Sequence, residues 1–149
     1  MARWVLLADP GAYGWEELVS DGATVWDGIR NRTAQGRLAE ARAGDEALLY
    51  HTAPDKAIVG VVRVVTDPYP DPSAEDRVVV DVEPVTALDR PLTLDEVKGD
   101  DRLAGMGFVR MPRVAVHRVE EAEWDRVMEL TGTDLSTAEG DDPTGAGGP

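Results

Sequence analysis

The first apolar positions run without interruption from Trp4 to Ala8 and stop at Asp9-Pro10-Gly11. A short continuous apolar run closed by turn formers reads as a buried strand, residues 3–8. Tyr13-Gly14-Trp15-Glu16-Glu17-Leu18 then opens a short helix, with acids in the first turn where they complement the helix dipole. After the turn Ser20-Asp21-Gly22 comes a short extended piece, 23–26. Asn31 is an N-cap for a helix running to residue 41, with Leu38 as its apolar anchor and Ala34, Ala39 and Ala41 as small packing positions. The turn Ala43-Gly44-Asp45 leads into two strands, 46–51 and 57–65, joined by Thr52-Ala53-Pro54-Asp55. The second is almost all Val and Ile, and Gly60 inside it marks a bulge or a close approach to the backbone.

Asp67-Pro68-Tyr69-Pro70-Asp71-Pro72 reads as a rigid loop, because proline removes ladder donors. A strand over 77–85 follows, then short helical turns at 91–97 and 101–104, a strand over 114–119, and a closing amphipathic helix over 120–130. That helix turns Trp124, Val127 and Leu130 inward. Many short strands with few long helices, in mixed order, predict an α+β domain around a small curved, barrel-like sheet. The domain is expected to occupy 1–131. The Gly-, Pro-, Thr- and Asp-rich remainder, 132–149, cannot bury apolar surface and is expected to be a disordered tail.

Composition narrows the chemistry. At 149 residues the chain can bury a real core, and with no cysteine it has no disulfide, thiol nucleophile or thiolate metal site. The opening apolar run is too short for a signal peptide or a membrane span, which predicts a cytoplasmic protein without membrane contact. Net charge is −14, and the last eighteen residues hold only four of the 29 acids, so the domain itself is acidic. This argues against broad, backbone-driven nucleic-acid binding. Lys56 and Lys98 are the only lysines among the 15 basic residues. Strong acidity with scarce lysine suits a halophilic, salt-rich cytosol, and a GC-rich genome would favour arginine equally well.

His51 and His117 show no metal-ligand spacing, and no acidic loop has calcium-binding spacing. Ser20, Ser73 and Ser136 have no nucleophile motif around them, and no phosphate loop or dinucleotide fingerprint is present. No metal, cofactor or catalytic constellation is therefore expected. Recognition chemistry fares better. Asp9-Pro10, Trp26-Asp27, Arg30-Asn31 and Tyr50-His51 all fall at the ends of expected strands, where the loops of a small barrel build ligand pockets. Tryptophan is the best stacking platform for a flat ring, and Asp, Arg and Asn close by can read a base edge. Each residue also has an ordinary role open to it: Asp9 in a turn, Trp26 as a strand anchor, Asn31 as a cap, Tyr50 in the core, and Arg30 paired to a surface acid. Their concentration favours a pocket.

At these residues the chain resembles the EVE-domain family of the PUA-like superfamily, which also includes the YTH readers. The carriers are Arg3-Trp4-Val5-Leu6-Leu7-Ala8-Asp9-Pro10, Tyr13-Gly14-Trp15, Thr24-Val25-Trp26-Asp27-Gly28-Ile29-Arg30-Asn31, Gly44-Asp45 with Leu49-Tyr50-His51, Ile58-Val59-Gly60, Tyr69-Pro70-Asp71-Pro72, Val80-Asp81-Val82 and Pro91-Leu92-Thr93-Leu94. The resemblance implies a PUA-like β-barrel flanked by short helices, and a pocket for a flipped, modified base, with DNA favoured over RNA as partner and modified cytosine as ligand. It implies Trp26 as the floor, Asp9 and Pro10 as one wall, and the backbone around Asp27 as a hydrogen-bonding edge. Asn31, Tyr50 and His51 would complete the polar side, with Arg113 near the rim. Apart from the resemblance, Arg30, Arg32, Arg37 and Arg42, with Arg110 and Arg113, are expected to form a local patch that guides a strand toward the pocket, Arg30, Arg32 and Arg113 meeting the nucleic acid, unless neighbouring acids neutralise them. Two positions depart from the family pattern. Arg77 and Val78 stand where many members have an aromatic, and Ala115 replaces a serine in Arg113-Val114-Ala115-Val116.

The leading expectation is a non-enzymatic reader of a modified base. The alternative is a small-molecule or protein-interaction module that keeps the fold without nucleic-acid affinity, and it predicts no arginine patch around Trp26. A hydrolase acting on nucleotides would need paired carboxylates in the same pocket, with Asp9 and Asp27 as candidates.

Overall fold

A computed structural model describes residues 1–135. The chain runs β1 (Arg3–Ala8), α1 (Trp15–Asp21), β2 (Thr24–Trp26), α2 (Arg32–Leu38), β3 (Glu46–His51), β4 (Ala57–Val64), β5 (Tyr69–Asp71), β6 (Ala74–Thr93), α3 (Leu94–Gly99), α4 (Gly107–Arg110), β7 (Val116–Arg118) and α5 (Glu121–Thr131). The seven strands make one mixed, curled sheet, a half-barrel, in the order β2-β6-β4-β3-β1-β7, with β5 paired to β6 off this path. β1 and β3 are parallel, with Leu6 opposite Leu49, and the other pairs are antiparallel.

Strand alternation divides the core in two. On one face Trp4, Leu6, Leu49, Val62, Val80 and Val116 pack with Leu18 of α1, Leu38 of α2 and Trp26. On the other, Val5, Leu48, Tyr50, Ile58 and Val61 pack with Val97 of α3, Phe108 of α4, and Trp124 and Val127 of α5. α3 starts with a capping box in which Thr93 and Glu96 satisfy each other's backbone N–H groups.

Several expectations are met and several are revised. β1, β3 and β4 stand where the apolar runs place them, and Asn31 caps α2 by accepting from the Ala34 N–H at 2.9 Å. Gly60 shows both anticipated features. The β4 register shifts beside it, and the Trp15 ring lies so close that a Cβ there would sit 2.5 Å from a ring carbon. The loop expected at 67–72 contains β5, and the strand expected at 77–85 extends from Ala74 to Thr93, taking in Pro91, which was expected to be helical. α2 ends at Leu38 rather than 41, and α4 was not anticipated. Residues 132–135, expected to belong to the tail, are among those described. Gly132 ends α5 in the left-handed conformation, and buried Thr133 accepts the Asp89 N–H at 3.1 Å. The rest of that expectation, 136–149, lies outside the described residues.

The strand path ends at β2 on one side and β7 on the other, and α2 spans the gap between them. The carboxamide of Gln35 donates to the Val78 carbonyl at 3.1 Å and accepts the Val78 N–H at 2.8 Å, pairing with β6 where β2 has run out. The guanidinium of Arg37 donates to the Val116 carbonyl on β7 at 3.0 Å. The open seam of the half-barrel is where the candidate site lies.

Candidate functional site

A cleft of about 550 Å³ opens at this seam, within the range of small-ligand pockets. Three segments build it: the end of β1 and its turn (Leu7, Ala8, Asp9, Ala12, Tyr13), β2 with the loop into α2 (Thr24 to Asn31), and Arg113 with Ala115 just before β7. The Leu7 N–H donates to the Ala115 carbonyl at 2.9 Å, tying the first segment to the third. In the second, Gly28 has φ +79°, a turn that glycine allows without strain. The Ile29 carbonyl after it is held by the Gln35 amide at 2.9 Å.

Trp26 is both a core residue and part of the cleft lining. It is 8% exposed, packs with the first core cluster, and meets the Tyr13 ring edge-on at 6.3 Å and 74°. Tyr13 in turn donates its hydroxyl to Asp21 at 2.7 Å. Burial, and then that carboxylate, raise its pKa above the ordinary phenol value. Tyr13 was missed from sequence, though it sits in the Tyr13-Gly14-Trp15 motif. Only the turn after β1, which folds it back over β2, reveals its place.

The expected site residues separate into two groups. Asp9, Trp26, Asp27 and Asn31 share the lining with Arg30 and Arg113. Asp9 also closes a turn by accepting the Gly11 N–H at 2.9 Å, and Asn31 serves as the α2 cap. Pro10 and Arg32 adjoin lining residues in the chain without themselves lining the cleft. Tyr50 and His51 lie elsewhere. Tyr50 belongs to the second core cluster, its ring tilted 50° to that of Phe108 with the centroids 4.8 Å apart, and burial raises its pKa. His51 is held between neighbours: Nε2 accepts the Trp15 N–H at 3.0 Å, which leaves Nδ1 to donate to Asp55 at 3.0 Å. Of the two departures from the family pattern, Ala115 lines the cleft, whereas Val78 is tied through its backbone to Gln35.

The cations around the cleft differ in pairing from several others in the chain. Away from it, Arg3, Arg63, Arg90, Arg102 and Arg126 each reach a carboxylate. Arg30, Arg32 and Arg113 are exposed and form no ion pair or hydrogen bond with the described residues. Three cations without an ion pair therefore stand at or beside the mouth of the apolar cleft, although Lys56, Arg77, Lys98, Arg110 and Arg118 elsewhere also form none with the described residues. Among the described residues no cluster of three or more His, Cys, Asp or Glu could hold a metal ion, and no helix is long and apolar enough to cross a membrane.

Residues 2–130 match the model of the EVE domain. Thymocyte nuclear protein 1 of Rattus norvegicus is 30% identical over 132 residues, 72% of this chain. The chain spans 58% of that protein's length. The NMR structure of Rpa0253 from Rhodopseudomonas palustris shares 33% identity and a TM-score of 0.85, covering 89% of this chain and 94% of that one. Human THYN1, solved in complex with 5-methylcytosine-containing DNA, has the same fold at a TM-score of 0.80 and 24% identity, covering 90% of this chain and 99% of that one.

Proposed function

The chain belongs to the EVE-domain family, and on that premise we propose that its cleft receives a modified base, 5-methylcytosine flipped out of DNA, as a binding module rather than an enzyme. The observation that carries this reading is the shared lining of Trp26 with two unpaired arginines, Arg30 on one wall and Arg113 on the other. Trp26 offers a stacking surface worth about 1–3 kcal/mol per base. The exposed peptide groups around Asp27 and Gly28 supply donors and acceptors for the base edge. Arg30 and Arg113 can meet phosphates beside the extruded nucleotide, Arg32 stands next to that wall, and one inserted base needs fewer phosphate contacts than a long track along the backbone. The solved human THYN1 complex, with the same fold, contains DNA with this modification.

An interaction module without nucleic-acid affinity has no use for unpaired arginines beside the tryptophan, so their presence weighs against it. A carboxylate-driven hydrolase gains little support. Asp9 and Asp27 are both exposed, and Asp9 spends an oxygen on the Gly11 N–H. The test is fluorescence anisotropy with labelled duplexes that are identical except for one cytosine, 5-methylcytosine, 5-hydroxymethylcytosine or N6-methyladenine. The proposal expects 5-methylcytosine to bind about tenfold more tightly than cytosine, about 1.4 kcal/mol, and the preference to collapse in Trp26→Leu with the fold checked by circular dichroism. Equal affinity for all four duplexes would refute it.

A further inference from the structure

The two walls of the cleft stand on different elements. Trp26 to Asn31 run into α2, whereas Arg113 and Ala115 run into β7. Among the described residues no backbone hydrogen bond joins α2 or its preceding loop to β7, and Arg37 is the side chain that does. Its Nη1 lies 3.0 Å from the Val116 carbonyl and 3.0 Å from Nδ1 of His117.

That second contact fixes the state of the histidine. Arginine can only donate, so Nδ1 must accept and the ring proton sits on Nε2. His117 is 1% exposed, and its Nε2 has no hydrogen-bond partner among the described residues. The charged groups facing the ring are Arg37 from α2 and Arg110 from α4. The carbonyls of Val114 and Met111 face it from the segment before β7, Gly107 of α4 packs against it, and apolar Val5 pairs with it on β1. A proton on Nδ1 would set two donors against each other at 3.0 Å, and Arg37 would have to let go. Burial is the largest cause holding the ring below its ordinary value. The Val114 and Met111 carbonyls oppose it, and the Arg37 and Arg110 charges add to it.

We propose that Arg37 is a positioning residue of the base cleft. Anchored on Val116 and on neutral His117, it fixes the spacing between the Asn31 wall and the Arg113–Ala115 wall, and proton uptake by His117 releases it. This rests on the base-reading function proposed above. Discrimination between bases depends on the width of the cleft, whereas phosphate contact by exposed arginines at its mouth does not. Loss of the strap therefore lowers selectivity more than general DNA affinity.

The test measures the ratio of affinities for the 5-methylcytosine and cytosine duplexes from pH 8 to 5, with hydrogen exchange of the DNA-free protein alongside. Because His117 is held below its ordinary value, chiefly by burial, the wild-type ratio is expected to stay level through the ordinary histidine range and to fall only in more acid solution. Arg37→Met is expected to lower the ratio about tenfold at pH 7.5, as loss of a charge-assisted hydrogen bond does, and to flatten the pH profile. His117→Asn, which offers an acceptor oxygen at the Nδ1 position without a titrating ring, is expected to keep the pH 7.5 ratio and hold it in acid. Without DNA, Arg37→Met should speed exchange in both 27–31 and 113–116. A wild-type ratio and pH profile in Arg37→Met, or unchanged exchange in those segments, would overturn the proposal. If Arg37→Met does not fold, the His117→Asn profile decides: a ratio that still falls in acid overturns it. A wild type that never discriminates between the duplexes, with exchange accelerated as expected, would refute base reading and uphold the strap.

Discussion

Replacing Arg30 and Arg113 together with alanine removes the two cations that line the cleft and leaves its apolar lining in place. Both are exposed and neither has a partner among the described residues, so the cost to stability should stay within about 0.5 kcal/mol. The effect on binding is large and salt-dependent. With Arg30, Arg32 and Arg113 each neutralising one phosphate, log K falls against log salt with a slope of about −2.7, or roughly 40-fold between 50 and 200 mM salt. Without Arg30 and Arg113 only about one phosphate contact remains, so the slope falls to about −0.9 and the change to roughly 3- to 4-fold. Asp9 and Asp27 share the same rim and their repulsion remains, so at 50 mM salt the double variant should bind more weakly still. The assay is anisotropy with a 5-methylcytosine duplex across five salt concentrations. An unchanged slope in the double variant would refute the assignment of these arginines to the DNA backbone, whatever the absolute affinity.

Three predictions concern the scaffold. Gly60→Ala places a Cβ 2.5–2.8 Å from three carbons of the Trp15 ring and should cost about 1–3 kcal/mol by overpacking, read from urea unfolding. Asn31→Ala leaves the Ala34 N–H without its cap and should cost about 1 kcal/mol, read from the same curves. His117 is pushed below its ordinary value, chiefly by burial, so above pH 7 the ring is neutral in both states and costs nothing. As pH falls below about 6.5 the unfolded chain takes up a proton that the folded chain refuses, and stability drops by at most about 1.4 kcal/mol per pH unit until the folded ring also titrates. Unfolding curves at pH 7.5 and 5.5 should therefore show a stability gap between wild type and His117→Asn that narrows in acid, and a constant gap would contradict the sign.

Strand positions were legible where apolar runs met turn formers, as at Ala8-Asp9-Pro10 and Trp26-Asp27-Gly28. The proline-rich stretch was not, because proline is tolerated where a ladder is already irregular. Pro70 lies in three-residue β5 beside a register shift, Pro84 faces Val62 at another, and Pro91 falls where pairing jumps from Gly60–Ala87 to Ile58–Leu92. A sequence shows the proline but not the bulge that accommodates it. The cleft was half legible for a related reason. Tyr50 and His51 do end a strand, but alternation sends Tyr50 into the other core, and the Trp15 N–H, at the start of α1 and 36 residues away, captures His51. The bridging roles of Gln35 and Arg37 depend on how far the sheet curls, which no local pattern encodes.

The most direct test of the account is an NMR titration of the protein with a duplex carrying one 5-methylcytosine, followed at the Trp26 indole N–H and the Ala8 and Ala115 methyl groups. The account predicts large shifts at all three, and much smaller ones with the unmodified duplex. Shifts confined to the exposed arginines, or equal with both duplexes, would contradict it.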